Sequence, residues 1–347
     1  MPPRAKREGA AITVRAGLGP CRLVTNGPEH REPEVASRFA GAWRSARRFG
    51  AQHRRTITIV GSVVAAAVLV AILWGHRDEF STALSSASIT VLLAAAALQL
   101  VALLARSEAW HICIEAAGGS VARRILYRAS SMGYVGSLLN AQVGTAARIA
   151  ALRRSSPAES PGVSTLIAAE FPILAVEGTL AALTSFTLVV PLGLPWWLPI
   201  VCLAAAFGVS AGLRHLALRE GRLLWNGLAV LRSLKGGGRL VAFVLVAVFA
   251  QISRNWLLLH AVGVDASLLD AIAVLIAMVV LTQLPIGPST GAAAAVLILG
   301  RQGVAAVAAA GVLSTVTGII GGLSFAAWAQ GDRLWRARRA RGAALAV

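Results

Sequence analysis

The chain is 347 residues long, 56% hydrophobic and only 14% charged, with a mean hydropathy of +0.70. A water-soluble domain needs about a quarter of its residues charged to cover its surface, so lipid must solvate much of this chain. The formal charge of +18 sits in tails and in short loops between apolar runs, where membrane topology places it, and this argues against a nucleic-acid partner.

Residues 1–55 form a basic tail punctuated by Pro2, Pro3, Gly17, Gly19, Pro20, Gly27 and Pro28, and most of it is expected to be disordered. It lacks the short basic and early apolar regions of a signal peptide. Its last part, residues 34–55, carries Phe39, Trp43 and Phe49 among arginines. Two readings stay open for it: an interfacial helix lying on anionic lipid, or a solvated flank that fixes orientation.

Apolar runs long enough to cross about 30 Å of hydrocarbon are expected at 56–75, 89–110, 163–190, 195–213, 240–262 and 304–329. Two further apolar stretches, 125–147 and 271–300, are interrupted. The first contains Gly133, Gly136, Asn140, Gln142 and Gly144; the second contains Pro285-Ile286-Gly287-Pro288-Ser289-Thr290-Gly291. Such clusters do not continue a regular helix.

Lysine and arginine decide whether these two stretches cross. With eight full spans and the basic N-terminus inside, Arg148, Arg153 and Arg154 fall outside, as do Arg214, Arg219, Arg222, Arg232, Lys235 and Arg239. If both broken stretches are re-entrant, only Arg77 and Arg301 remain outside. The positive-inside rule selects the second arrangement. The expected fold is therefore an all-α polytopic membrane protein with six full spans and two re-entrant broken helices; the alternative is eight full spans. The halves 56–190 and 195–330 then repeat one element order from opposite sides of the membrane. Aligning Gly144 with Gly291 superposes the two breaks, so an inverted repeat is expected, followed by a basic cytoplasmic tail at 331–347. Inverted repeats with broken helices mark carriers whose site lies near the midplane. Glycine and proline serving only helix packing is the competing reading.

Ionisable groups inside spans cost about 2.5–3.5 kcal/mol at the centre on insertion scales, so each needs a reason. Glu170 and Glu177 share a face of the 163–190 span, and Pro172 can kink the helix between them. In the 240–262 span, Arg254 lies near mid-depth beside Gln251 and Asn255. A pair between Arg254 and Glu170 or Glu177 is expected to neutralise charge, either as a site for a polar headgroup or as an ion pair fixing two helices. Arg106, Glu108, His111 and Glu115 read as interfacial. Asn140, Gln142, Thr145, Ser289 and Thr290 offer uncharged hydrogen-bonding groups in the breaks. Half-helices beginning near Gly144 and Gly291 would point positive dipole ends at a phosphate or carboxylate.

Two motifs carry a resemblance over roughly residues 56–330. Asn140-Ala141-Gln142-Val143-Gly144-Thr145-Ala146-Ala147-Arg148 is similar to P-x-R-x-G-E-x-x-R, keeping the glycine and the final arginine. Pro285, the proline-glycine cluster and Gly291 are similar to P-x-P-G-G-x-G followed by a glutamate, whose position Ala294 occupies. The chain thus resembles the flippase-like transmembrane region of lysylphosphatidylglycerol synthases, in divergent form, and Glu170 looks like a position of that family. The resemblance implies movement of a polar-headgroup lipid between membrane leaflets; the lysine and arginine distribution places both termini on the cytoplasmic side of the plasma membrane. Its candidate substrate-binding residues are Asn140, Gln142, Gly144, Thr145, Arg148, Glu170, Glu177, Arg254, Pro285, Ser289, Thr290 and Gly291. Synthase relatives carry a soluble aminoacyl-transfer domain after the membrane region, whereas residues 331–347 are a basic tail, so no enzymatic activity is expected. The scattered Cys21, Cys113 and Cys202 and the histidines suggest no disulfide framework, metal or cofactor. A membrane scaffold recruiting a partner enzyme through its basic tails is the second reading.

Overall fold

The computed structural model describes residues 63, 64, 67, 70, 71, 74–138, 141–155, 161–219, 223–282 and 290–345, the side chains of 141, 223, 224, 290 and 332–345 excepted. The basic tail 1–55 and most of the first expected span, 56–75, lie outside these residues. Among the described residues every regular element is helical.

A polar helix α1 (Arg77–Ser86) precedes α2 (Ile89–Ala116), whose N-cap Ser88 accepts a hydrogen bond from the Val91 amide. Gly118, at φ +84°, turns the chain after α2, a left-handed conformation that suits glycine. Helices α3 (Arg123–Ser137) and α4 (Ala141–Ser155) follow and pack along one another as a hairpin. The hairpin closes through small residues: a Cβ on Gly144 would lie 2.7 Å from the Gly133 carbonyl oxygen and 2.8 Å from the Ser137 Cβ.

The next apolar stretch is broken. Helix α5 (Val163–Ala168) stops and α6 (Phe171–Thr184) restarts, because Pro172 has no N–H to offer the Ala168 carbonyl. A 3₁₀ turn Ser185–Leu188 and α7 (Val189–Leu192) complete it, and Gly193, at φ +60°, ends it. Helix α8 (Leu198–Leu218) leads into a 3₁₀ segment Leu223–Arg232 and then α9 (Leu234–Ala261). A capping box between Ser267 and Asp270 opens α10 (Leu268–Leu281). Helix α11 (Thr290–Leu299) and α12 (Val304–Leu345) finish the chain.

Among the described residues, five stretches are long and apolar enough to cross a membrane: Ile89–Ala116, Val163–Leu192, Leu198–Leu218, Leu234–Ala261 and Val304–Gly331. They coincide with five of the runs expected from hydropathy. The paired helices α3/α4 and α10/α11 are shorter. At 1.5 Å per residue the longest of them reaches about 22 Å, less than the ~30 Å hydrocarbon core.

Among the described residues, two apolar cores hold the bundle. One gathers Trp110, Ile114, Leu126, Leu152, Leu166, Val230 and Leu240, where α2 and α4 end and α3, α5 and α9 begin. The other gathers Ala83, Ala95, Leu259, Ala271, Ala294, Leu299 and Val307, at the opposite ends of α2 and α9. Each hairpin therefore begins and ends beside a single core. Helices α2 and α9 run against each other through the middle, and α12 packs on both.

Candidate functional site

Arg148 comes from α4 and Glu170 from the turn between α5 and α6. Arg148 Nη2 donates a short hydrogen bond to Glu170 Oε1, and both side chains are nearly sealed, 12% and 11% exposed. The α5/α6 break turns Glu170 onto α4, and α3 makes room for the partner. A Cβ on Gly133 would fall 2.8 Å from the Arg148 Cβ, so only glycine at that position lets the arginine stem pass. The guanidinium lies over the ring of Trp110 from α2, with Cζ 4.2 Å from the ring centroid. Cation and carboxylate thus satisfy one another away from water, and the indole face covers the guanidinium.

A second pair lies beside the first. Arg106, one turn before Trp110 on α2, donates to Glu177 Oε2 at 2.9 Å, and Arg106 and Glu177 both lie close enough to act electrostatically on Arg148. Two arginines and two glutamates therefore form a charge-balanced cluster where α2, α4 and α6 meet. This pair is wetter, with Arg106 half-exposed and Glu177 a quarter exposed.

Sequence reasoning paired Arg254 with Glu170 or Glu177. The structure corrects this: Glu170 takes Arg148, Glu177 takes Arg106, and no ion pair reaches Arg254 among the described residues. Partner choice follows helix adjacency. Arg106, read as interfacial, faces α6 one turn from the stacked tryptophan. Arg254 instead lies between α9, α2 and α12, buried with neutral partners. It donates to Gln99 Oε1 by a short bond and to Ser314 Oγ at 3.0 Å, while Ser314 donates to Asn255 Oδ1 at 3.0 Å and Gln251 donates to Gln99 Oε1 at 2.9 Å. Tyr134 of α3 reaches the same place and donates to the Gly318 carbonyl at 2.7 Å. Its ring fills the notch at Gly322, where a Cβ would fall 1.7 Å from Tyr134 Cε1. This polar node lies about 10 Å along α2 from Arg106 and about 16 Å from Trp110, a separate level of the bundle.

The other candidates fall as follows. Asn140, Pro285 and Ser289, and the Thr290 side chain, lie outside the described residues. Gln142 is exposed and Thr145 half-buried, six and three residues before Arg148 on α4. Helix α4 starts at Ala141, ahead of Gly144, so Gly144 sits within its first turn and closes the hairpin. Gly291 plays the same packing role: its Cβ would lie 2.7 Å from the Gly311 carbonyl oxygen. The 3₁₀ segment Leu223–Arg232, read as part of a connecting loop, packs on the α5/α6 break. A Cβ on Gly227 would meet the Thr165 carbonyl oxygen at 2.4 Å, and Leu228 and Val230 are buried. The apolar residues within that basic stretch were the available signal.

A family model described as the lysylphosphatidylglycerol synthase TM region matches residues 58–327. The chain belongs to that family. No curated protein and no solved structure matches it. In this member of the family, Arg148, at the end of the first motif, and Glu170 are the residues that meet in the sealed pair.

Proposed function

We propose that this member of the family is a lipid carrier that moves a polar-headgroup lipid between leaflets. The observation that carries the reading is the Arg148–Glu170 pair on Trp110, a buried charged centre assembled from a short-helix hairpin and a broken helix. A pair made only for strength has little to recommend it, because well-packed apolar residues of similar volume serve a core as well or better. Charges that can exchange partners, however, suit a headgroup in transit. Arg106 and Glu177 beside them supply a wetter approach.

In this reading the hairpins α3/α4 and α10/α11 are re-entrant, six spans cross, and the two halves form an inverted repeat. Their short lengths, and the shared core at both ends of each hairpin, support it. Arg123, Arg124, Arg153, Arg154, Lys235 and Arg239 flank the ends around the Trp110 core, so that face is cytoplasmic and rests on anionic lipid of the plasma membrane, with both chain termini on its side. Single cysteines at Gln302 and within 225–235, in a background lacking Cys21, Cys113 and Cys202, test the topology by impermeant labelling. Only Gln302 labels if the hairpins are re-entrant; labelling within 225–235 refutes it.

The transport test uses purified full-length protein in vesicles with a headgroup-accessible fluorescent phospholipid. Wild type accelerates exchange between leaflets, and Glu170→Gln and Arg148→Gln slow it while eluting as folded protein. A second reading, a non-transporting scaffold for an envelope-modifying enzyme, is favoured by Thr145 and Ala294 standing where the family motifs have glutamates. Unchanged lipid movement in the wild type and both variants supports that one.

A further inference from the structure

We infer that Arg254 binds a small inorganic anion of the chloride class, in the notch that Gly318 leaves on α12. Such a site is independent of lipid carriage. The first support is an unmet charge. Arg254 is 5% exposed, its Nε has no hydrogen-bond partner among the described residues, and the groups it touches, Gln99 and Ser314, are neutral. Gln251 and Asn255 extend that network and add no charge. A buried guanidinium stays costly until a counterion answers it, and neutral side-chain dipoles supply only part of the answer.

The second support is a notch with a polar lining. Gly318, Gly321 and Gly322 of α12 border the node, and the fold uses them differently. A Cβ on Gly321 would lie 2.9 Å from the Gln99 Cβ, and one on Gly322 would lie 1.7 Å from Tyr134 Cε1, so packing takes up both. Gly318 is buried too, yet a Cβ there would meet only Arg254 Nη1 and Tyr134 Oη within 4 Å, each at 3.5 Å, among the described residues outside its own helix turn. The space suits a single heavy atom, and a cation and a hydroxyl line it. That lining selects an anion. The width selects a monoatomic one over phosphate or carboxylate. Nη1 carries two N–H groups and Gln99 takes one, which leaves the other for the ion. The Tyr134 hydroxyl donates to the Gly318 carbonyl at 2.7 Å. Its hydrogen turns to the ion at little cost, because within α12 that carbonyl also serves the amide one turn on. The ion then ties α9 to α3 and α12 through charge-assisted hydrogen bonds.

Scintillation-proximity binding of radiolabelled chloride to the purified full chain in neutral detergent tests this. Wild type should bind chloride saturably, and bromide should displace it while inorganic phosphate and gluconate do not. Arg254→Gln should weaken binding about tenfold or more, the worth of one charge-assisted hydrogen bond. Gly318→Ala should weaken it at least as much, because its methyl takes the place of the ion. At 3.5 Å from Arg254 and Tyr134 that methyl makes ordinary contact, so this variant keeps its fold and decides the matter if the glutamine variant does not fold. Arg301→Gln, which removes an exposed cation, should bind as wild type does. Replacing gluconate by chloride at constant ionic strength should raise the wild-type thermal midpoint and leave that of Gly318→Ala unmoved. The proposal falls if wild type binds no chloride, if Gly318→Ala or a folded Arg254→Gln binds it as wild type does, if Arg301→Gln loses it equally, or if phosphate displaces it as well as bromide.

Discussion

The two short-helix hairpins solve one packing problem with different chemistry. Helices α3 and α4 meet through Gly133 and Gly144 and then use the space to seat Arg148 against Glu170 and Trp110. Helices α10 and α11 bury Ala271, Ala273, Ala277, Ala294 and Ala295, and Gly291 packs directly on Gly311 of α12. At the second motif's glutamate position stands Ala294, fully buried among apolar neighbours. Small residues let backbones approach closely where lipid offers no hydrophobic drive to association. Among the described residues, the first hairpin adds a charged centre to that frame and the second shows packing alone. Among the described residues, the buried charges are therefore gathered at the first hairpin and at Arg254.

The largest effect should come from stranding a charge in the first hairpin. Glu170→Leu leaves Arg148 buried without its carboxylate and should cost about 3–5 kcal/mol, read as a lower thermal midpoint in detergent. The Arg148→Met, Glu170→Leu double variant should recover most of that stability while still failing to move lipid. Ala294→Glu tests the other side of the comparison by placing an unmatched carboxylate in the second hairpin. It should destabilise to a similar extent, and a wild-type midpoint would reveal a polar site where none is described.

Glycine substitutions should act more gently and on both hairpins. Gly291→Ala and Gly133→Ala each force a contact below 3 Å and should cost about 1–3 kcal/mol. Only Gly133→Ala displaces Arg148, so it alone should also slow lipid movement; equal transport loss in both would remove the distinction between site and frame. Glu177→Gln comes next. Its partner Arg106 is half-exposed, so the midpoint should shift by less than about 1 kcal/mol, while lipid movement falls. The smallest signal is thiol reactivity: exposed Cys202 should react in the folded protein and buried Cys113, beside the Arg148 centre, should not. In Glu170→Leu, Cys113 should become reactive as that core loosens.

Much of the frame was legible because hydropathy is local. A run such as 89–110 must find lipid or protein whatever its neighbours, and five expected spans reappear in place. The break at Pro172 was legible for the same reason, since a missing N–H acts one turn away. The helix start near Gly144 was displaced by three residues because Gly144 answers to the facing α3 rather than to its own chain. The 3₁₀ segment over the α5/α6 break was hidden by its basic flanks.

The sequence by itself determined which residues cannot rest in lipid: Arg148, Glu170, Glu177 and Arg254 are costly wherever the chain places them. It did not determine how they are answered. Arg148 and Glu170 are 22 residues apart, and Arg254 finds Gln99 and Ser314 at separations of 155 and 60. Charges of either sign are interchangeable in composition, and only helix adjacency separates a sealed ion pair from a buried cation that meets only neutral partners among the described residues. Tertiary structure made that choice, by turning α6 towards α2 and α4 and by setting Arg254 between α2, α9 and α12.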